Sequence, residues 1–196
     1  MKNLSYICTD NKTLKMNNKT FWNYAGIAGL LLGMISSANM FIGQYLSTME
    51  LSKTMTTIVG GLLWCAETAG CICLMYFYMK KFSLEFPSEE RKTIHRLGMA
   101  IALFSALIYS AMTFANIAYF SADYFSSAYQ ELLQAASPSL DSNSRALMTK
   151  FMENMPQIAF FSNLIYCFIF GTIVSSIISR SIFTPKVFSE NNTDEE

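Results

Sequence analysis

The stretch LLWCAETAGCIC, residues 62–73, decides what kind of molecule this is. Apart from Glu67 and Thr68 it holds only apolar or small residues. It continues on both sides into a run, 55–79, that carries no other charge. About 20 apolar residues at 1.5 Å each cross a hydrocarbon core of about 30 Å. The run therefore predicts a membrane-spanning helix with a carboxylic acid at its midpoint.

Working outward, three more stretches have the same character: residues 21–46, 97–120 and 158–179. The first opens with Phe21, Trp22 and Tyr24, an aromatic cluster suited to the membrane interface. It is too long and too poorly flanked for a cleaved signal peptide. Composition agrees. Apolar residues make up 52% of the chain and charged residues 14%, against about 25% charged in an ordinary globular protein. The fold class expected is an all-α polytopic membrane protein with four transmembrane helices.

Orientation follows from lysine and arginine bias in the connections. Lys2, Lys12, Lys15 and Lys19 precede the first span. Lys80, Lys81, Arg91, Lys92 and Arg96 lie between the second and third, and Arg180 and Lys186 follow the fourth. Against these eleven, the opposite side has only Lys53, Arg145 and Lys150. Residues 1–20 and 180–196 are thus expected in the cytoplasm, flanking a membrane domain at 21–179. The sequons at Asn3, Asn11, Asn18 and Asn191 then face away from glycosylation.

Residues 121–157 are too many for a plain loop. Phe125, Ala128, Leu132 and Ala136 fall at helical spacing, and so do Leu147, Met148, Phe151, Met152 and Met155. SPSLDS, with Pro138, reads as the turn between them, and Pro156 as the entry to the fourth span. An extracytoplasmic amphipathic helical hairpin is expected, its first helix continuous with the third span.

Small residues recur every fourth position: Ala25, Gly29, Gly33 and Ser37 in the first span, Gly98, Ala102, Ala106 and Ser110 in the third. Such stripes let helix backbones approach closely. They suit packing inside one bundle or the seam of a homodimer.

Glu67 is the only Asp, Glu, Lys, Arg or His side chain inside the four stretches. A charge there costs several kcal/mol, which favours the neutral acid and makes it a hydrogen-bond donor in need of an acceptor. Its helical face carries Gly60, Trp64, Gly70 and Cys71. Tyr109 and Ser110, and Ser36 and Ser37, lie at matching depth, with Tyr109 the preferred partner. Asn39, Asn116 and Asn163 sit nearer the outer ends and, with Thr113, would line a polar pocket opening outward. Glu67, Tyr109, Ser110, Asn39, Asn116 and Asn163 are thus the candidate ligand or proton site. An acid at this depth is either a hydrogen bond between helices or a proton-coupled group.

Other chemistry is sparse. His95, the only histidine, falls in a charged loop, and Cys8, Cys65, Cys71, Cys73 and Cys167 follow no disulfide or zinc spacing. Met148, Met152 and Met155 share a helix face, but they coincide with an apolar stripe and read as packing or membrane contact. No phosphate loop, nucleophile elbow or carboxylate pair occurs. Net charge is zero, so nucleic acid is not an expected partner. No enzyme activity, cofactor or metal is expected. The expected partners are the lipid bilayer and a second membrane protein, or a second copy of the chain.

MNNKTFWNYAGIAGLLLG from Met16, RLGMAIALFSALIYS, MTKFMENMP and FIFGTIVSSIISRSIFTPK together resemble the four-span inner-membrane proteins of Bacteroidetes grouped as domain-of-unknown-function family 4199. The resemblance covers residues 16–186, departs from the family pattern in a serine-rich outer segment, and makes Met16 a second candidate start. It implies a bacterial inner-membrane location and, through genes found near polyprenol-phosphate glycosyltransferases, a link to envelope assembly. It supplies no catalytic residues. The expected function is non-enzymatic: assisting an envelope process by binding a membrane protein or lipid. The alternative is a small proton-coupled transporter or channel acting as a homodimer through Glu67.

Overall fold

The computed structural model describes residues 18–49, 52–87, 90–136 and 141–182, and every element among them is a helix. In chain order these are α1 (Asn18–Thr48), α2 (Lys53–Glu85) and α3 (Arg91–Ala115), followed directly by a π-helical turn (Asn116–Phe120). Then come α4 (Ala122–Ala136), α5 (Ser142–Glu153) and α6 (Met155–Ile182). Hydrocarbon offers backbone groups no partners, so an apolar run satisfies them within a helix. Four helices are long and apolar enough to cross a membrane: Asn18–Leu46, Thr54–Glu85, Arg91–Phe120 and Met155–Ile182.

Local chemistry sets the ends. The Ser52 hydroxyl accepts from the Met55 N–H at 3.4 Å to open α2, and the Asp141 carboxylate accepts from the Ser144 N–H at 2.9 Å to open α5. Pro156 stands in the first turn of α6, where its missing N–H is harmless. Asn154 joins α5 to α6. Its N–H donates to the Lys150 carbonyl at 3.3 Å, and its own carbonyl accepts from Ile158 at 3.0 Å. The turn SPSLDS falls largely outside the described residues.

α3 is the central helix, packed between α1 and α6, with α2 leaning mainly on α1. The small-residue stripes make this possible. A Cβ on Gly29 would stand 2.5 Å from the Phe104 Cβ, and one on Gly33 2.7 Å from the Ile108 Cβ. On the other side of α3, Gly98 lies against Ser175 and Met79, and a Cβ on Gly171 would stand 2.5 Å from the Ala102 Cβ. Both stripes are therefore filled within one chain. A homodimer would need another face, such as α2, where Gly60, Gly61 and Gly70 meet nothing within 4 Å.

Two expectations are corrected. The basic connection expected over 80–96 is mostly helix: α2 runs to Glu85 and α3 begins at Arg91. Counting apolar residues underestimates a helix whose lysines lie along it, and Lys80 sits 5.6 Å from the centroid of the Tyr76 ring while Lys81 sits 6.0 Å from that of Tyr24. His95 is not in a loop but in the second turn of α3, its Nδ1 3.3 Å from the Ser175 hydroxyl. The segment after α3 holds two helices, α4 packed on the π-helical turn and α5 on α6. Leu132, Leu147 and Phe151, read as apolar stripes, are exposed.

Candidate functional site

The register between helices decides which polar residues share a depth. α1 and α2 are antiparallel, tied by Tyr24 donating to Glu85 at the end bearing the α2–α3 connection. That end is termed the basic end, and the opposite one the hairpin end. Further along, Ser36 Oγ lies 3.8 Å from Cys71 Sγ, and then Asn39 Nδ2 donates to Glu67 Oε2. Gly98 touches both Met79 and Ser175. Twelve residues on from Gly98 is Ser110; twelve back from Met79 is Glu67, and twelve back from Ser175 is Asn163. Each of the four long helices thus contributes a polar residue at one level: Asn39, Glu67, Ser110 and Asn163.

The bond to Glu67 comes from Asn39, not from the expected Tyr109. Tyr109 and Cys167 nevertheless lie within electrostatic range of the carboxylate, so it is directed into the bundle. Of the face assigned to Glu67, only Cys71 meets α1; Gly60, Trp64 and Gly70 are exposed. Ser110 is completely buried, and its hydroxyl has no hydrogen-bond partner among the described residues.

A second polar group lies nearer the hairpin end. Asn116 Nδ2 donates to Gln44 Oε1 at 2.9 Å, Gln44 Nε2 to Ser121 Oγ at 2.6 Å, and Ser121 Oγ to Asn116 Oδ1 at 3.0 Å. This closed ring fastens α1 to both ends of the π-helical turn. Between the two groups, Thr113 donates to the Tyr109 carbonyl at 2.9 Å and lies 3.5 Å from Met40 Sδ. The polar atoms of Asn39, Thr113 and Asn116 thus bond to neighbours on α1, α2 and α3. Gln44 and Ser121 were missed by sequence reasoning. Gln44 lies two residues and Asn116 four from the end of its span, and that shared position near the hairpin end was the available signal.

Open space lies to one side. A cleft of about 330 Å³ between α3 and α6 is lined by Ala111, Phe114, Gln157, Phe160 and Phe161. A second, of about 380 Å³, lies between the π-helical turn and α4 on one wall and α5 and the start of α6 on the other. Phe125, Tyr129, Met152 and Met155 are among its lining residues, which places two of the three aligned methionines. The Tyr129 hydroxyl is buried there with no partner among the described residues. No cluster of three His, Cys, Asp or Glu side chains suited to a metal occurs among the described residues. Compared with protein-family models, with curated proteins and with solved structures, the chain matches none of them, and its chemistry must be read from this geometry.

Proposed function

We propose that the chain is a non-enzymatic protein of the bacterial inner membrane, with both termini cytoplasmic. It assists an envelope process by binding a lipid or another membrane protein through α4 and α5. The observation that carries this reading is the apolar surface of the segment beyond the spans. Tyr124, Leu132, Leu147 and Phe151 are all exposed. Apolar residues gathered outside the spanning bundle mark a surface meant for lipid or a partner. The test is to replace residues 122–154 by a short linker in the native gene. Envelope function should be lost while the four-helix bundle stays folded in detergent. A folded, fully functional deletion would sink the reading.

A second reading rests on Glu67. Its bond to Asn39, in a layer to which all four long helices contribute, suits a small proton-coupled transporter or channel. It predicts that Glu67→Gln abolishes function in a fully stable protein and that substrate binding releases a proton. A stable, active Gln variant would leave Glu67 as a link between helices.

A further inference from the structure

We infer that the two clefts form one amphiphile site, and that its occupant is a membrane aminophospholipid, the tail held between α3 and α6 and the headgroup amine at Glu153. The inference rests on the lipid-binding reading above and names the lipid class.

The two spaces adjoin along both walls. Gln157 of the first follows Pro156 of the second on α6, and Phe114 of the first lies one turn before Ile117 and Ala118 of the second. Their linings differ as the two ends of a lipid differ. The cleft at span depth is walled by three phenylalanines and an alanine, with Gln157 at its hairpin end. The other lies where the helices leave the span and adds Ser126, Tyr129, Thr149 and Glu153. Each volume falls in the range of small-molecule sites, about 300–1,000 Å³.

Charge selects the headgroup. Among the described residues, the only charged one lining either cleft is acidic: Glu153, which is solvent-exposed. No lysine or arginine among the described residues lines them to receive a bare phosphate, whereas an ammonium can meet the Glu153 carboxylate.

The full-length chain should be reconstituted in vesicles containing equal amounts of phosphatidylethanolamine and phosphatidylglycerol with matched acyl chains. It is then re-extracted gently and weighed by native mass spectrometry. One phosphatidylethanolamine per chain is expected, preferred by about two- to fivefold, as one solvent-exposed ion pair implies. Glu153→Gln, at an exposed position, should bring the preference close to one while a lipid stays bound. Ala122→Trp, which fills the cleft, should lose lipid of either kind, with circular dichroism showing the helices retained; if they are lost, Ser126→Trp serves as the second cleft-filling variant. Equal retention of both lipids by the wild type, or a preference that survives Glu153→Gln, overturns the headgroup assignment but leaves lipid binding standing. A second copy or another protein in place of lipid overturns the site itself, and the deletion of 122–154 then judges the wider function separately.

Discussion

The two halves of the bundle are built from different materials. Towards the basic end, Leu32, Met75, Met79, Phe82, Leu97, Ile101 and Ile178 are buried together with small residues, and Phe82 stacks with Phe21, Tyr24 and Phe86. Towards the hairpin end, no buried apolar residue occurs beyond Ala106 among the described residues. The buried side chains there are Ser37, Ser110, Thr113 and Asn116. Inside a bilayer, burial against protein rather than lipid brings no hydrophobic gain, so tight van der Waals packing must hold the first half together. Hydrogen bonds hold the second, and they leave room for clefts. One half is a clamp, and the other has the adaptability that a binding site needs.

The comparison can be broken at several points, with unequal force. The largest effect is expected in the clamp. Phe82→Ala removes a fully buried ring and should cost about 3 kcal/mol, the low end of the range because lipid supplies little transfer term. Unfolding in detergent would measure it, and a loss under about 1 kcal/mol would mean that this half is not the clamp.

Next comes the polar layer. Glu67→Ala leaves the Asn39 amide without its acceptor and should cost about 1–3 kcal/mol. Glu67→Gln should lie within about 0.5 kcal/mol of the wild type in the same assay. If both variants are equally destabilised, the carboxylate does more than accept one hydrogen bond.

Smaller still is the ring at the hairpin end. Gln44→Leu breaks two of its three bonds and should cost about 0.6–1.7 kcal/mol, the span found for hydrogen bonds between membrane helices. Hydrogen exchange should then rise in the π-helical turn and the start of α4 while the clamp keeps its protection. Exchange that rises in both halves alike would show them to be a single cooperative unit.

The smallest effect concerns Asp141, which is fully exposed. Hydrogen bonds from the Ser144 side chain and backbone N–H hold its carboxyl below the ordinary carboxylate value. A group depressed in the folded state stabilises above its unfolded value, about 3.9, and loses that contribution as pH falls through the folded one. Amide protection at the start of α5 should therefore hold at neutral pH and decline only below about pH 4. Asp141→Asn should remove the pH dependence and keep the cap.

How much of this was legible differs from residue to residue. The depth of Glu67 could be read by counting along a charge-free run, because rise per residue is constant. Its partner could not. Asn39 counts as nearer the outer end of its span than Tyr109, yet it makes the bond, because the register of each helix and its rotation about its axis are set by how its neighbours pack. The α1 and α3 stripes were visible, yet what fills them was not, Phe104 and Ile108 of α3 for the first and Gly171 and Ser175 of α6 for the second, since one helix's small face does not name the helix that fills it. The hairpin's helices were legible from spacing. What their apolar stripes meet was not, because such a stripe says that a surface avoids water without saying what covers it.

Composition, period and the long uncharged runs by themselves determined an all-helical chain with four helices fit to cross a membrane and one acid at mid-depth. These are local properties, since each run satisfies its own backbone. Only the tertiary structure decided that both stripes are spent inside one chain, that Glu67 meets Asn39, and that the apolar core stops halfway along the bundle. Those depend on helix rotation and register, which arise where side chains from distant parts of the chain exclude one another.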